Sequence, residues 1–140
     1  MARKTNIDPL LAGVPLFSAC KPAELTKISQ MCTPVEVTAG QVLTREGEPG
    51  KEFFLIIEGE VRVEKGGKAV ATMGRGDFFG EAALLDGGPR TATVVAVTDL
   101  VLESIGRREF LALLDEAPRF THSILKGVAA RLREARLETS

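Results

Sequence analysis

The stretch GDFFGEAALLDGGPRTATVVAV, Gly76 to Val97, breaks an otherwise strand-like texture. Between two apparent strands it places a short helix-favouring run, Gly80-Glu81-Ala82-Ala83-Leu84-Leu85. A turn, Asp86-Gly87-Gly88-Pro89, follows, and Arg90-Thr91 opens the next strand. A single helical turn inside a β domain has little packing value, but it has electrostatic value. Its first N–H groups, near Glu81, Ala82 and Ala83, lack intrahelical acceptors and carry the positive end of the peptide dipole. Gly80 would let a ligand approach the backbone, and the Arg90 guanidinium can hold two anionic oxygens at once. The combination reads as a phosphate site. Glu81, acceptor-only at neutral pH, suits a hydroxyl of a ribose attached to that phosphate. The same spacing is equally compatible with a Glu81–Arg90 ion pair across the turn.

Outward from this stretch, residues 33–104 alternate apolar and polar positions. Val35 and Val37 do so, as do Val61 and Val63, while Phe53 to Ile57 is a continuous apolar run suited to a strand buried on both faces. Of the 14 glycines, 12 fall between Gly40 and Gly106, as tight turns between short strands require. This zone reads as an all-β sandwich or barrel.

Helical patterns flank it. Residues 8–32 form a helical lead-in, with Leu25, Ile28 and Met31 at three-residue steps. Residues 107–138 form two helices: RREFLALLDEAP, ended at Pro118, then a segment with Phe120, Ile124, Val128 and Leu132 in a stripe. A single domain over residues 1–140 is expected.

Composition excludes several function classes. The 140-residue chain has a net charge of -1, so its overall field offers a nucleic acid no attraction. The local excess of Lys and Arg after Pro118 is that of a solvated helix face. One histidine, His122, and two cysteines, Cys20 and Cys32, cannot furnish a standard zinc site or a nucleophile–histidine machine away from His122. No metal, no cofactor and no enzymatic activity are expected. No run approaches a spanning helix or a signal peptide, which predicts a cytoplasmic location.

FGEAALLDGGPRTATV, residues 79–94, closely resembles the phosphate-binding cassette of cyclic nucleotide-binding domains, the family of kinase regulatory subunits, cyclic-nucleotide-gated channels and the catabolite activator. FFLIIEGEVRV upstream and REFLALLDEAP downstream extend the resemblance over residues 14 to 136. The interval from Glu81 to Arg90 is that of the kinase and channel branch. The resemblance implies an α+β, mainly-β fold: a double-stranded β-helix (jelly roll, or β-roll) over residues 33–104, flanked by an N-terminal helix and two C-terminal ones. Its cassette would span residues 79–93.

Residue by residue, the resemblance implies that Gly80, Ala82 and Ala83 present amides to a cyclic phosphate. Glu81 would take the ribose 2'-hydroxyl, Arg90 would pair with the phosphate, and Thr91 would touch phosphate or base. Val63, Val70 and Ala71 would wall the purine, and the last helix would close over it through Arg131 or Leu132. The implied ligand is cAMP, with cGMP left open by Thr91. The chain is expected to act as a receptor that signals through its C-terminal helix, to an effector or within a homodimer. It reads as a stand-alone sensor more readily than as an excised domain. The alternatives are a ligand-free β-roll scaffold for protein interaction and a cupin-like enzyme.

Overall fold

The alternating zone becomes eight short strands: β1 (Thr33–Val37), β2 (Val42–Thr44), β3 (Glu52–Glu58), β4 (Val61–Lys65), β5 (Lys68–Met73), β6 (Phe78–Phe79), β7 (Thr93–Ala96) and β8 (Leu100–Gly106). They form two four-stranded sheets, β1-β8-β3-β6 and β2-β7-β4-β5, with every pairing antiparallel. This is the expected β-roll with flanking helices. The computed structural model describes residues 14–139, with side chains to residue 134. The part of the predicted lead-in at residues 8–13 lies outside the described residues.

Residues Met31–Leu111 form one compact unit, and the two flanks of the chain form a second, helical one. In the β unit, Val37, Phe54, Ile56, Phe79, Leu100 and Leu102 from one sheet meet Val61, Val94 and Ala96 from the other. Phe53 to Ile57 are all buried because β3 is covered twice. Phe54 stacks on Phe79 at 5.1 Å, whereas Phe53 turns to the opposite face and stacks on Phe110 at 4.9 Å. Each such side chain contributes about 1.5–3 kcal/mol through burial, which makes β3 the spine of the unit.

Two details of register set up the site. Glu52, at the head of β3, pairs with Gly106, and Phe54 pairs with Ser104. Between β4 and β5 the ladder runs Val63 to Ala71 and then Glu64 to Ala69, so Val70 is the extra residue of a bulge.

The described part of the helical unit opens with a 3-10 turn, Pro15–Phe17, and α1 (Pro22–Met31). Within the β unit, α2 (Glu81–Asp86) is the lone helical insertion. Helix α3 (Arg107–Glu116) is separated from α4 (Pro118–Thr139) by Ala117, the residue before the proline. Phe17 stacks on Phe120 at 6.0 Å. Glu24, buried, accepts the Lys21 N–H at 2.9 Å and the Arg119 N–H at 3.2 Å, capping the first turns of α1 and α4 with one carboxylate. The predicted α4 stripe fades along its length: Phe120 and Ile124 are buried, but Leu132 is 61% exposed. No described helix is long and apolar enough to cross a membrane.

Candidate functional site: a cassette around a buried arginine

The helical run seen in the sequence is realised as α2, between β6 and β7. Gly80 starts it in the left-handed region, at φ 93°. A Cβ there would lie 2.7 Å from Arg90 Nη1 and 2.7 Å from the Glu52 carbonyl oxygen, so glycine is required both by conformation and by space. The helix closes where the Gly87 N–H reaches the Ala83 carbonyl at 3.1 Å. Its first-turn amides are the donors expected for an anion.

Arg90 lies at the other end of the turn and is only 8% exposed. Among the described residues its guanidinium is held by carbonyls: Nη1 donates to Gly80 O at 3.1 Å and Nη2 to Glu52 O at 2.9 Å. Burial pulls its pKa below the ordinary arginine value, and the charges of Glu52 and then Glu81 push it back up. A planar cation with two edges fixed and little solvent is organised to receive an anion.

The β2–β3 loop encloses this guanidinium. Arg90 N–H reaches Glu48 O at 2.8 Å, Gly47 N–H reaches Arg90 O at 2.9 Å, and Pro49 bridges Pro89. Gly50 lies so close that a Cβ would stand 2.5 Å from Ala83 Cβ and 3.0 Å from Arg90 Nε. Arg90 also borders a polar cavity of about 200 Å³, lined by Thr44, Arg45, Glu48, Lys51 and Glu52 among others.

The remaining predicted residues divide. Glu81 is buried beside Ala83 on α2, Ala82 is half-buried, and Thr91 is exposed at the mouth of β7. Val63 and Ala71 face each other across the β4–β5 ladder, whereas Val70 occupies the bulge and is 47% exposed. Arg131 and Leu132 lie on α4, in the helical unit. Gly50, Glu52 and Ser104 escape a reading of the sequence because each acts through a contact between distant strands. Pro49-Gly50 reads as a turn, which conceals the close approach.

The cyclic nucleotide-binding domain family model matches residues 34–117, from β1 through α3 and across the whole cassette. The chain belongs to this family. As a member of it, the chain resembles the cAMP-dependent protein kinase regulatory subunit of Hypocrea atroviridis, with 38% identity over 81% of this chain and 24% of that one. It therefore spans about a quarter of the length of that curated relative. Among solved structures, it is similar to CBD2 of PKAR bound to Sp-2Cl-cAMPS (TM-score 0.77, 29% identity), with coverage of 91% of this chain and 87% of that one. It is equally similar in shape to the regulatory subunit of a cAMP-independent protein kinase A from Trypanosoma brucei (TM-score 0.77, 28% identity, 86% of this chain and 43% of that one). Cyclic nucleotide-binding regulatory domains are generally non-enzymatic.

Proposed function

We propose that the chain is a non-catalytic cAMP receptor. The observation that carries this reading is Arg90: a buried guanidinium held by two carbonyls, at the end of a turn whose other end supplies helix N–H groups. In this role the amides of Gly80, Ala82 and Ala83 and the Arg90 fork hold the cyclic phosphate. Glu81 accepts the 2'-hydroxyl, and Thr91 touches phosphate or base. Val63 and Ala71 form the purine wall, with Val70 contributing from the bulge. cGMP fits the same cassette, with Thr91 as the residue that meets it.

Binding is proposed to shift α4 toward a state in which Arg131 or Leu132 covers the purine, and α4 passes the change to an effector or to a second copy. Coupling of about 1–3 kcal/mol would alter the partner's affinity by roughly five- to 150-fold. A cytoplasmic site of action accompanies this reading, and no nucleic acid, metal or cofactor takes part.

The second reading is a ligand-free β-roll scaffold. It is favoured by the likeness to the Trypanosoma brucei regulatory subunit, whose kinase is described as cAMP-independent. Membership of the nucleotide-binding family leaves the cupin-like enzyme without support.

Titration calorimetry with cAMP and with cGMP, on the natural chain and on Arg90→Ala, separates these. The receptor reading expects saturable heat with cAMP and its loss in the variant. Absence of heat with both nucleotides would establish the scaffold instead, and unchanged affinity in Arg90→Ala would remove Arg90 from the phosphate site.

A further inference from the structure

Ser104 is a buried hydroxyl on β8, between the buried Glu103 and Ile105 and two positions from the buried Leu102. A buried hydroxyl costs free energy unless it is bonded. Its partner is Glu52: Ser104 Oγ donates to Glu52 Oε2 at 2.9 Å, diagonally across the β3–β8 ladder. The residue directly opposite Glu52 is Gly106, which has no side chain to support that carboxylate. On its other side Glu52 borders the polar cavity next to Arg90. The hydroxyl of Ser104 therefore ties down one oxygen of the exposed Glu52 carboxylate.

Glu52 in turn supports Arg90 in two ways. Its carbonyl accepts the Arg90 Nη2 N–H at 2.9 Å, one of the two bonds that set the plane of the fork. Its carboxylate is the larger of the two negative charges that offset the burial of the guanidinium.

We propose that Glu52, anchored by Ser104, is a positioning residue for Arg90, holding the guanidinium in the orientation that receives the cyclic phosphate. This rests on the reading of Arg90 as the phosphate ligand. It extends the site by a chain of contacts from β8 through β3 to the cassette.

A double-mutant cycle tests it, with cAMP affinity measured by calorimetry and folding by thermal unfolding. Glu52→Ala should weaken cAMP about tenfold in the chain that keeps Arg90, and less than about twofold in an Arg90→Lys background. Ser104→Ala should give a smaller loss with the same dependence on Arg90. Glu52→Gln, which keeps an acceptor for Ser104, should restore part of the loss. Equal losses in both backgrounds would overturn the proposal and reduce Glu52 to a general stabiliser. Arg90→Lys binding as tightly as the natural chain would instead overturn the reading of Arg90 itself. Should the lysine background bind too weakly to titrate, the preference between the Sp and Rp phosphorothioates of cAMP decides the matter. These isomers differ only in which exocyclic oxygen is replaced by sulfur, so Glu52→Ala must compress their affinity ratio, and an unchanged ratio overturns the positioning role.

Discussion

Arg90 Nη1 lies 3.1 Å from the carbonyl oxygen of Gly80, so the residue that opens the cassette helix also seats the guanidinium that closes the cassette ten residues later. The two ends of the turn are thus one unit. On the proposed reading, a phosphate held by one end would be aligned with the other, which lowers the cost of ordering the site on binding.

Gly80→Ala should damage fold and site together. The added Cβ meets Arg90 Nη1 and the Glu52 carbonyl at 2.7 Å, and alanine is disfavoured at φ 93°. A stability loss of about 1–3 kcal/mol is expected from the strained backbone alone. Thermal unfolding and cAMP titration should both respond, with affinity falling at least about tenfold. A variant that binds normally would show that the Gly80 carbonyl can turn away from Arg90 without consequence.

Gly50→Ala tests a different constraint, because Gly50 does not occupy the left-handed region. The clash is purely one of space, with Ala83 Cβ at 2.5 Å and the Arg90 side chain at 3.0 Å. Overpacking of this kind costs roughly 1–3 kcal/mol. Relief requires the β2–β3 loop to move off the cassette, so cAMP affinity should fall with stability. Gly40→Ala, in the β1–β2 loop, is the control for loop substitution at a glycine with open space around it but positive φ; it should lower stability by backbone strain and leave affinity close to that of the natural chain.

These two glycines also show what was legible in the sequence. The helical insertion at Gly80 to Leu85 declares itself because a run of helix formers interrupts a period of two, and the continuous apolar run at Phe53 to Ile57 declares a doubly covered strand. Local order leaves a local signature. The closeness of Gly50 to Arg90 and the bond from Ser104 to Glu52 join residues 40 and 52 positions apart, and nothing in the neighbourhood of either residue reports its partner. The register of Val70 is hidden for a related reason. A bulge adds one residue without changing the composition of the strand, so Val63 and Ala71 pair while Val70 stands between ladder positions.

Glu24 gives a pH dependence. The Lys21 backbone N–H is the main influence holding its carboxyl below the usual glutamate value of 4.5, with the Arg119 N–H and guanidinium acting in the same direction against burial. Because the folded-state pKa is the lower one, the charged carboxylate stabilises the fold fully above the unfolded value, and that contribution disappears as pH falls through the folded value. Glu24→Gln should therefore cost about 1 kcal/mol near neutral pH, the size of a helix cap. Denaturant unfolding of both chains from neutral pH downward should show the difference narrowing below 4.5. A gap that stays constant through the acid range would mean that the carboxylate acts by shape rather than by charge.

On the proposed reading, Thr91 is the residue that would tell cGMP from cAMP. It is exposed at the start of the strand after Arg90, where its hydroxyl is available to a ligand. Guanine carries an exocyclic amino group at C2 that adenine lacks, and a hydroxyl oxygen accepts from such a donor. If α4 closes the site as proposed, removing the acceptor leaves the guanine amino group unpaired, which costs about 1–3 kcal/mol, whereas adenine has no such group to lose. Thr91→Ala should accordingly weaken cGMP by about fivefold or more and leave cAMP within about twofold, measured by calorimetry with each nucleotide. Equal losses would place the hydroxyl on the phosphate, which both ligands share, and would move the source of any nucleotide preference away from the cassette.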